Sequence, residues 1–416
     1  MSADNGMPKR WGLRGVRGVV SPGDRPGSAP DRTAPSAIGR TARRRVTIAA
    51  SVGTAGAVAL VGGLALGGAF SSGPAASAAA APAKATPTEH ATLTAALQAI
   101  AKTATSSTSY YAYVAAATGG EVVEVNVTAG TIVGTLSADS VQGVAVTPDG
   151  STAYLAETGQ YYVLADNLST KASTKIVVGA YPQDVAVSPS GKVVYATVTG
   201  GDTGPGGSDV VVAIDPSTNK VIKDITVGTA PRQVVFSPNG ATAYVTTETG
   251  VYEISTATNQ VVKVIPEAGR TNGPQGIAVS PNGTTLYVTN PDAGTVAAIN
   301  AATGKVIATA PAGAEPYGVA VTPNGDTLYV TDQNSDSVSV LSAATLKTTA
   351  TVSVGRLPEA VTVSPDGSQV WVGNGFTGDV SVISTATNSV VATLAQGTGT
   401  SNLDAAITGI VFAPAP

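Results

Sequence analysis

The stretch GIAVSPNGTTLYVTN, residues 276–290, holds two short apolar runs on either side of a Pro-Asn-Gly turn. Proline presets φ at the first turn position and glycine accepts the left-handed one, so the stretch predicts a β-hairpin. Nearly the same phrase occurs five more times, as GVAVTPDGSTAYLAE (143–157), DVAVSPSGKVVYATV (184–198), QVVFSPNGATAYVTT (233–247), GVAVTPNGDTLYVTD (318–332) and AVTVSPDGSQVWVGN (360–374).

The turn prolines recur at nearly constant spacing. Successive intervals are 41, 49, 43, 42 and 42 residues between Pro148, Pro189, Pro238, Pro281, Pro323 and Pro365. A period of about 40–45 residues built from strands alone is typical of β-propeller blades, each a four-stranded sheet. In the repeat that contains Pro281 we expect strands over residues 276–280, 284–289, 295–300 and 305–310.

The two ends of the chain together complete a seventh blade. The tail TGIVFAP (408–414) resembles the first strand of a repeat, and residues 113–136 align with residue 287 onward, which supplies strands two to four. We therefore predict an all-β, seven-bladed β-propeller over residues 105–416, closed by the C-terminal strand completing the N-terminal blade. Such closure removes the exposed edges of an open sheet.

One aromatic residue per repeat lies six positions after the turn proline. One equivalent ring in every blade indicates packing between neighbouring sheets in preference to a binding platform. The set consists of Tyr154, Tyr195, Tyr244, Tyr287, Tyr329 and Trp371, with Tyr113 as the seventh partner.

The string YVTN at 287–290 has close variants, YVTD at 329–332 and YVTT at 244–247. Together with the VSPNG-type turns and the links at Val227-Gly228 and Val354-Gly355, these strings resemble the YVTN family of β-propeller repeat proteins over about residues 110–416. The resemblance implies seven blades and an exported, often cell-surface, protein. The family is similar at a distance to surface-layer and lactonase-type propellers. The Gly-His and Trp-Asp pairs of the WD40 signature are absent.

The N-terminal part has a different composition. Residues 1–45 carry ten Lys and Arg against three Asp and are rich in Pro and Gly, which predicts a disordered basic tail in the cytoplasm. The 25 uncharged residues 46–70 predict the hydrophobic core of a signal peptide or a transmembrane anchor. Small residues at 76–80 favour cleavage and the length favours an anchor, so both interpretations stand, as do Sec and twin-arginine export. Either one places the remaining chain outside the cytoplasm or on the cell surface.

Residues 71–104 form an Ala/Pro/Ser linker in which Leu93, Leu97 and Ile100 lie at helical spacing. This spacing predicts a short amphipathic helix that packs on the rim of the propeller. His90, at its start, is interpreted as a solvated side chain.

Composition excludes several classes of function. Residues 105–416 carry 11 Lys and Arg against 23 Asp and Glu, a net charge of −12 that would repel nucleic acid. The chain has no cysteine, and its only histidine, His90, precedes the first repeat, so Ser–His and Cys–His nucleophile systems are excluded from the propeller. We expect no cofactor.

The start of each first strand predicts a ring of polar residues at one end of the central channel. Six positions before the turn prolines stand Gln142, Gln183, Arg232, Gln275, Tyr317, Glu359 and Thr408, with Asp184 and Gln233 one residue deeper. Arg232 and Glu359 are three blades apart, so we expect them to face each other across the channel. Such a ring could hydrogen-bond a sugar, a peptide or a carboxylate.

The sequence thus predicts an exported, non-enzymatic propeller that binds a cell-envelope protein, a peptide or a saccharide, with membrane contact only through residues 46–70. The alternative is a lactonase-like hydrolase that uses Glu359, Asp184 and Arg232 at the channel mouth, with Tyr317 as the acid. The loop 200–209 offers Asp202 and Asp209 to Ca²⁺, and the loop 332–337 offers Asp332 and Asp336. Two carboxylates are few for an ion that takes six to eight oxygens, so both are interpreted as surface loops.

Overall fold

The structure is a computed structural model. It describes residues 87–105, 109–117, 120–200, 209–266, 273–394 and 406–415, all within the compact unit Ala79–Pro416. Across these residues the strands form seven antiparallel sheets of four strands, as the repeat spacing predicts. The chain is a seven-bladed β-propeller.

The strands of each blade follow one another from the central channel to the rim, apart from the blade that both chain ends share. Blade 1 holds β1 (Tyr110–Ala116), β2 (Glu121–Asn126) and β3 (Thr131–Ser137). Blade 2 holds β4 (Val141–Val146), β5 (Thr152–Glu157), β6 (Tyr162–Asn167) and β7 (Ser173–Val177). Blade 3 holds β8 (Pro182–Val187), β9 (Val194–Val198), β10 (Val210–Asp215) and β11 (Lys220–Thr226). Blade 4 holds β12 (Val234–Phe236), β13 (Thr242–Thr247), β14 (Gly250–Ser255) and β15 (Gln260–Pro266).

The remaining blades repeat this order. Blade 5 holds β16 (Ile277–Val279), β17 (Thr285–Asn290), β18 (Thr295–Asn300) and β19 (Val306–Pro311). Blade 6 holds β20 (Pro316–Val321), β21 (Thr327–Asp332), β22 (Ser337–Ser342) and β23 (Thr348–Ser353). Blade 7 holds β24 (Pro358–Val363), β25 (Gln369–Asn374), β26 (Asp379–Ser384) and β27 (Ser389–Leu394), and the last strand is β28 (Ile407–Pro414).

The C-terminal strand closes the ring. β28 pairs antiparallel with β1, with Tyr113 opposite Val411 and Tyr110 opposite Pro414, so it is the innermost strand of blade 1. The predicted completion of the N-terminal blade is confirmed. In blade 5 all four observed strands begin and end within one residue of the predicted bounds, and β16 is one residue shorter at each end.

The repeated turn contacts the preceding blade. In blade 5 the amide of Gly283, at φ +73°, donates to the carbonyl oxygen of Ser280 at 2.8 Å. A Cβ at Gly283 would lie 3.4 Å from Cδ of Pro238 in the turn of blade 4, and a Cβ at Gly150 would lie 3.0 Å from the carbonyl oxygen of Pro414. The turns thus pack on one another around the end of the channel opposite the mouth, which explains why the phrase recurs.

The repeated aromatic residue fills the space between blades. The hydroxyl of Tyr154 donates to Oδ1 of Asn219 in the next blade at 2.8 Å, and Tyr329 donates to Asn388 at 2.9 Å. Trp371 and Tyr113 are fully buried. The predicted inter-blade packing is confirmed.

An α-helix lies across the seam between blades 7 and 1. This helix, α1 (Pro87–Thr103), is longer than predicted and buries Leu97 and Ile100 in a cluster with Trp371 of blade 7 and Val125 of blade 1. Nε2 of Gln369 donates to the carbonyl oxygen of Ile100 at 2.6 Å. The same carbonyl oxygen also accepts from Oγ1 of Thr103 at 2.9 Å and from the amide of Ala104 at 3.2 Å, so the Gln369 side chain adds a bond from blade 7 to the last turn of the helix.

No helix in the described part of the chain is long and apolar enough to cross a membrane. The predicted basic tail, residues 1–45, and the hydrophobic segment, residues 46–70, lie outside the described residues.

Candidate functional site at the channel mouth

The mouth of the central channel, where the first strand of every blade begins, is a cavity of about 210 Å³. All eight residues predicted for the site line this cavity, together with Gln233, which lies one residue deeper. Arg232 and Glu359 therefore border one cavity, as their separation by three blades predicts. The eight are Gln142, Gln183, Asp184, Arg232, Gln275, Tyr317, Glu359 and Thr408.

Threonine side chains hold the ring in place. In blade 5 the amide of Gly276 donates to Oγ1 of Thr289 at 2.8 Å, and the same hydroxyl donates to the carbonyl oxygen of Tyr317 in blade 6 at 2.5 Å. Three other blades repeat the second bond, from Thr197 to Arg232 at 2.7 Å, from Thr246 to Gln275 at 2.9 Å and from Thr331 to Glu359 at 3.0 Å. The third letter of the YVTN string, where it is threonine, thus fixes the backbone of four of the seven mouth residues, Arg232, Gln275, Tyr317 and Glu359.

Five proline links precede the ring. The residue before each proline is in the left-handed region, with φ of 51° at Tyr181, 50° at Ala230, 49° at Gly273, 52° at Glu315 and 50° at Leu357. Only one of them is a glycine, and an L-residue there costs about 1 kcal/mol. These strained residues lie where the chain crosses from the outermost strand of one blade to the innermost strand of the next.

Asp184 lies inside the channel and contacts the next blade. Its Oδ2 accepts the amide hydrogen of Val234 at 2.9 Å, and burial raises the pKa of this carboxyl from 3.8 to about 6. A Cβ at Gly143, on the neighbouring first strand, would lie 2.6 Å from Asp184 Oδ1, so a glycine is required there. Gln233 makes the equivalent contact one blade on, since its Oε1 accepts from the amide of Ile277 at 2.8 Å.

Arg232 has partners of its own at the mouth. Its Nη1 donates to Oε1 of Gln275, and its Nη2 lies 3.8 Å from Oε1 of Glu248. Glu248 follows β13 directly, on the loop that faces the same end of the channel. The guanidinium charge is therefore already offset by a carboxylate of the same blade.

Glu359 occupies a space that a glycine leaves open. Its Oε1 accepts from Nε2 of Gln333 at 3.2 Å, and a Cβ at Gly375 would lie 2.9 Å from the same oxygen. Burial raises the pKa of the Glu359 carboxyl. Burial also raises the pKa of Tyr317, and the negative charge of Glu359 adds to that effect.

The other ring residues are neutral. Nε2 of Gln183 donates to the carbonyl oxygen of Tyr181 at 3.2 Å, and Oγ1 of Thr408 donates to the carbonyl oxygen of Val141 at 2.8 Å. Gln142 lines the cavity beside them. These side chains supply amide and hydroxyl groups to a cavity whose only ionisable residues, in the described part of the chain, are Asp184, Arg232, Tyr317 and Glu359.

The Ca²⁺ hypotheses receive no support from the described residues, where no group of three or more acidic or histidine side chains is placed to hold a metal ion. Asp209 accepts from the amide of Gly200 at 3.1 Å, and Asp202 lies outside the described residues. In the second loop, Asp332 is buried and accepts from the hydroxyl of Ser339 at 2.7 Å, while Asp336 accepts from the amide of Leu357 at 3.0 Å. Both carboxylates of that loop thus bond to the protein itself.

Three residues of the mouth are missed by sequence reasoning: Gln333, Glu248 and Gly375. Each lies in a connection that follows the second strand of a blade, where the repeats differ in sequence and length. Their only signal in the sequence is their position, directly after the YVTN-type string of their blade. That position does not indicate which side chain turns toward the channel.

Part of the sequence matches the model of a protein family described as Lactonase, 7-bladed beta-propeller, over residues 207–365. The match covers less than half of the chain but includes Arg232, Gln275, Tyr317 and Glu359 of the mouth. No curated protein matches the sequence.

Solved structures resemble the chain in fold. A chain of Kuenenia stuttgartiensis hydrazine synthase has a TM-score of 0.59 and 24% identity, over 66% of this chain and 92% of that one. A functionally unknown protein from Desulfotomaculum acetoxidans has a TM-score of 0.61 and 14% identity, over 74% of this chain and 99% of that one. At these identities the similarity shows the propeller fold alone.

Proposed function

We propose that this protein is an exported propeller that binds a small polar ligand at the channel mouth, outside the cytoplasm or on the cell surface. The observation that carries the proposal is the cavity itself, into which polar side chains from all seven blades converge. Propeller ligands are held in concave sites of this kind, where a few polar groups set orientation and specificity.

The arrangement of the ring supports binding because its members are held before a ligand arrives. Threonine hydroxyls fix the backbone of Arg232 and Glu359, and Gln333 holds the Glu359 carboxylate. A site whose groups are already ordered loses less conformational entropy on binding. A saccharide or a short peptide suits the mixture of amide, hydroxyl and carboxylate groups that line the cavity.

The proposal is tested by a ligand screen on the purified full-length chain, read as a shift of the thermal unfolding midpoint. A ligand that binds only the folded state raises this midpoint. The stabilisation should disappear in an Arg232→Ala/Glu359→Ala variant and persist in Asp224→Asn, which changes an exposed charge on the outermost strand of blade 3. Stabilisation that persists in the double variant would place the ligand elsewhere.

A second candidate function is lactone hydrolysis, which the family-model match over residues 207–365 favours. In this mechanism the Glu359 carboxylate takes a proton from water, and the resulting hydroxide attacks the lactone carbonyl carbon. Arg232 stabilises the oxyanion, the ring C–O bond breaks, and the alkoxide takes the proton back to give a hydroxy acid. A carboxylate whose pKa is raised by burial is suited to such a proton transfer.

Hydrolysis is tested by acid release from a panel of lactones in the presence of the full-length chain. The expected result is turnover that falls at least a hundredfold in Glu359→Gln, since removing a general base costs about 10²–10⁴ in rate. Absence of turnover, combined with ligand-induced stabilisation, would leave the protein as a binding module.

A further inference from the structure

The charges at the channel mouth are unevenly compensated. Neither Asp184 nor Glu359 forms an ion pair with a Lys or Arg among the described residues, whereas Arg232 lies beside Glu248. Asp184 is held by the backbone amide of Val234, and Glu359 is held by the side-chain amide of Gln333. Both carboxylates thus receive hydrogen bonds from neutral donors only.

The positions of the two carboxylates extend this observation. Asp184 belongs to blade 3 and Glu359 to blade 7, so they border the same cavity of about 210 Å³ from opposite sides. Between them stand neutral hydrogen-bonding groups, the amides of Gln142, Gln183 and Gln275 and the hydroxyls of Tyr317 and Thr408. A ligand in this cavity lies between two negatively charged side chains and is surrounded by groups that donate and accept hydrogen bonds.

The single arginine does not reverse this balance. Its guanidinium donates to Gln275 and lies 3.8 Å from an oxygen of the partly exposed Glu248 side chain, so that carboxylate offsets part of its charge. The wider field has the same sign, because residues 105–416 carry 11 basic against 23 acidic side chains. A negative domain attracts cations to a concave site and repels anions from it.

We infer that the mouth selects a ligand that carries a positive charge, a small hydroxylated molecule with a protonated primary amine. The ammonium group supplies the counter-charge that Asp184 and Glu359 lack, and the hydroxyl groups bond to the glutamines of the ring. This inference rests on the proposed binding function and specifies its ligand class. The burial that raises the pKa of both carboxyls is the desolvation that a bound cation offsets.

The test uses three pyranose sugars of similar shape and different charge: glucosamine, glucose and glucuronate. Their affinities for the full-length chain are measured by calorimetry at pH 7.0 and low ionic strength, where charge interactions are least screened. We expect glucosamine to bind about tenfold or more tightly than glucose, and glucuronate to bind most weakly. Replacing Glu359 by Gln should lower the glucosamine affinity about tenfold, a clearly larger loss than it causes for glucose.

The controls separate this inference from the proposed function. Asp224→Asn removes a distant exposed charge and should leave all three affinities unchanged. Tighter binding of glucuronate, lost in Arg232→Gln, would overturn the cation inference and leave the binding function intact. Equal affinities for all three, or an unchanged glucosamine affinity in both Glu359→Gln and Asp184→Asn, would also overturn it. Binding of none of the three would overturn the cation inference, and the ligand screen would then decide the binding function separately.

Discussion

The hydroxyl of Thr331 donates to the backbone carbonyl oxygen of Glu359 at 3.0 Å and accepts the amide hydrogen of Gly318 at 2.8 Å. One side chain therefore joins the first strand of its own blade to the mouth residue of the next. Replacing Thr331 by Val removes both bonds at nearly constant volume and leaves two backbone groups unpaired. We expect a loss of about 1–3 kcal/mol in unfolding free energy, measured by urea denaturation, together with weaker ligand binding.

The matched control for this change is Thr331→Ser, which keeps the hydroxyl. Serine should retain both hydrogen bonds and most of the stability. Equal losses in the valine and serine variants would show that the methyl group, and not the hydrogen bonds, stabilises this position.

Gly375 leaves room for the Glu359 carboxylate. A Cβ there would lie 2.9 Å from Glu359 Oε1, closer than such contacts allow, so Gly375→Ala should displace the carboxylate and break its bond to Gln333. We expect at least a tenfold loss of ligand affinity with a stability change of about 1 kcal/mol. Gly159→Ala is the control, since its Cβ would meet the nearest atom, Cβ of Ser140, at an ordinary 3.6 Å. An unchanged affinity in Gly375→Ala would show that Glu359 takes no part in binding.

Ala230 is strained by its left-handed backbone, at φ +50° before Pro231. Gly273 occupies the equivalent position in the next blade, so Ala230→Gly should stabilise the protein by up to about 1 kcal/mol despite the added freedom of the unfolded chain. The same substitution at Ala302, an exposed turn residue without positive φ, should instead destabilise it. The thermal unfolding midpoints of the two variants should therefore shift in opposite directions. Shifts of the same sign would contradict backbone strain at Ala230.

The pKa of Asp184 is raised from 3.8 to about 6 by burial, so the folded protein binds a proton there more tightly than the unfolded chain does. The stability that this group contributes is fully present below about pH 4 and is lost as the pH rises through about 6, by an amount on the order of 3 kcal/mol. Asp184→Asn lacks this titration. The other ionisable groups at the mouth, Arg232, Tyr317 and Glu359, are common to both proteins.

The measurement is the difference in unfolding free energy between the wild type and Asp184→Asn from pH 4 to pH 8. We expect the wild type to lose stability relative to the variant between about pH 4 and pH 6, followed by a constant difference. If the unfolding free energies of the wild type and Asp184→Asn ran parallel over the whole pH range, this would contradict a pKa raised by burial at Asp184.

Gln369 joins α1 to blade 7. Its Nε2 donates to the carbonyl oxygen of Ile100 at 2.6 Å, and its Oε1 accepts from Nε1 of Trp371 at 2.9 Å. Gln369→Leu leaves a buried indole N–H without its acceptor, and we expect a loss of about 1–3 kcal/mol in unfolding free energy. Thr285 occupies the equivalent position of blade 5 and contacts no helix. Thr285→Leu should therefore lower the unfolding free energy by less than Gln369→Leu does. Similar losses at both positions would argue against a helix-specific role for Gln369.

The repeats carry enough information to predict the propeller and its closure. Each blade needs strands of alternating apolar and polar residues, a turn glycine at positive φ and one aromatic ring. These requirements are local, so the same residue pattern recurs in the sequence of each blade. The same register locates the mouth, because a residue six positions before each turn proline must begin an innermost strand. Gln142, Arg232 and Glu359 are found this way although they share no residue type.

The pairing of those side chains is decided by the tertiary structure. Gln333 and Gly375 reach Glu359 from two different connections, and Glu248 reaches Arg232 from a third. These connections lack a repeating pattern, so their conformations depend on neighbours that are distant in sequence. The sequence by itself determined the seven blades and the ring at the mouth, because both follow from periodicity. Only the folded chain decided which charges are compensated, because desolvation and ion pairing depend on distances between blades.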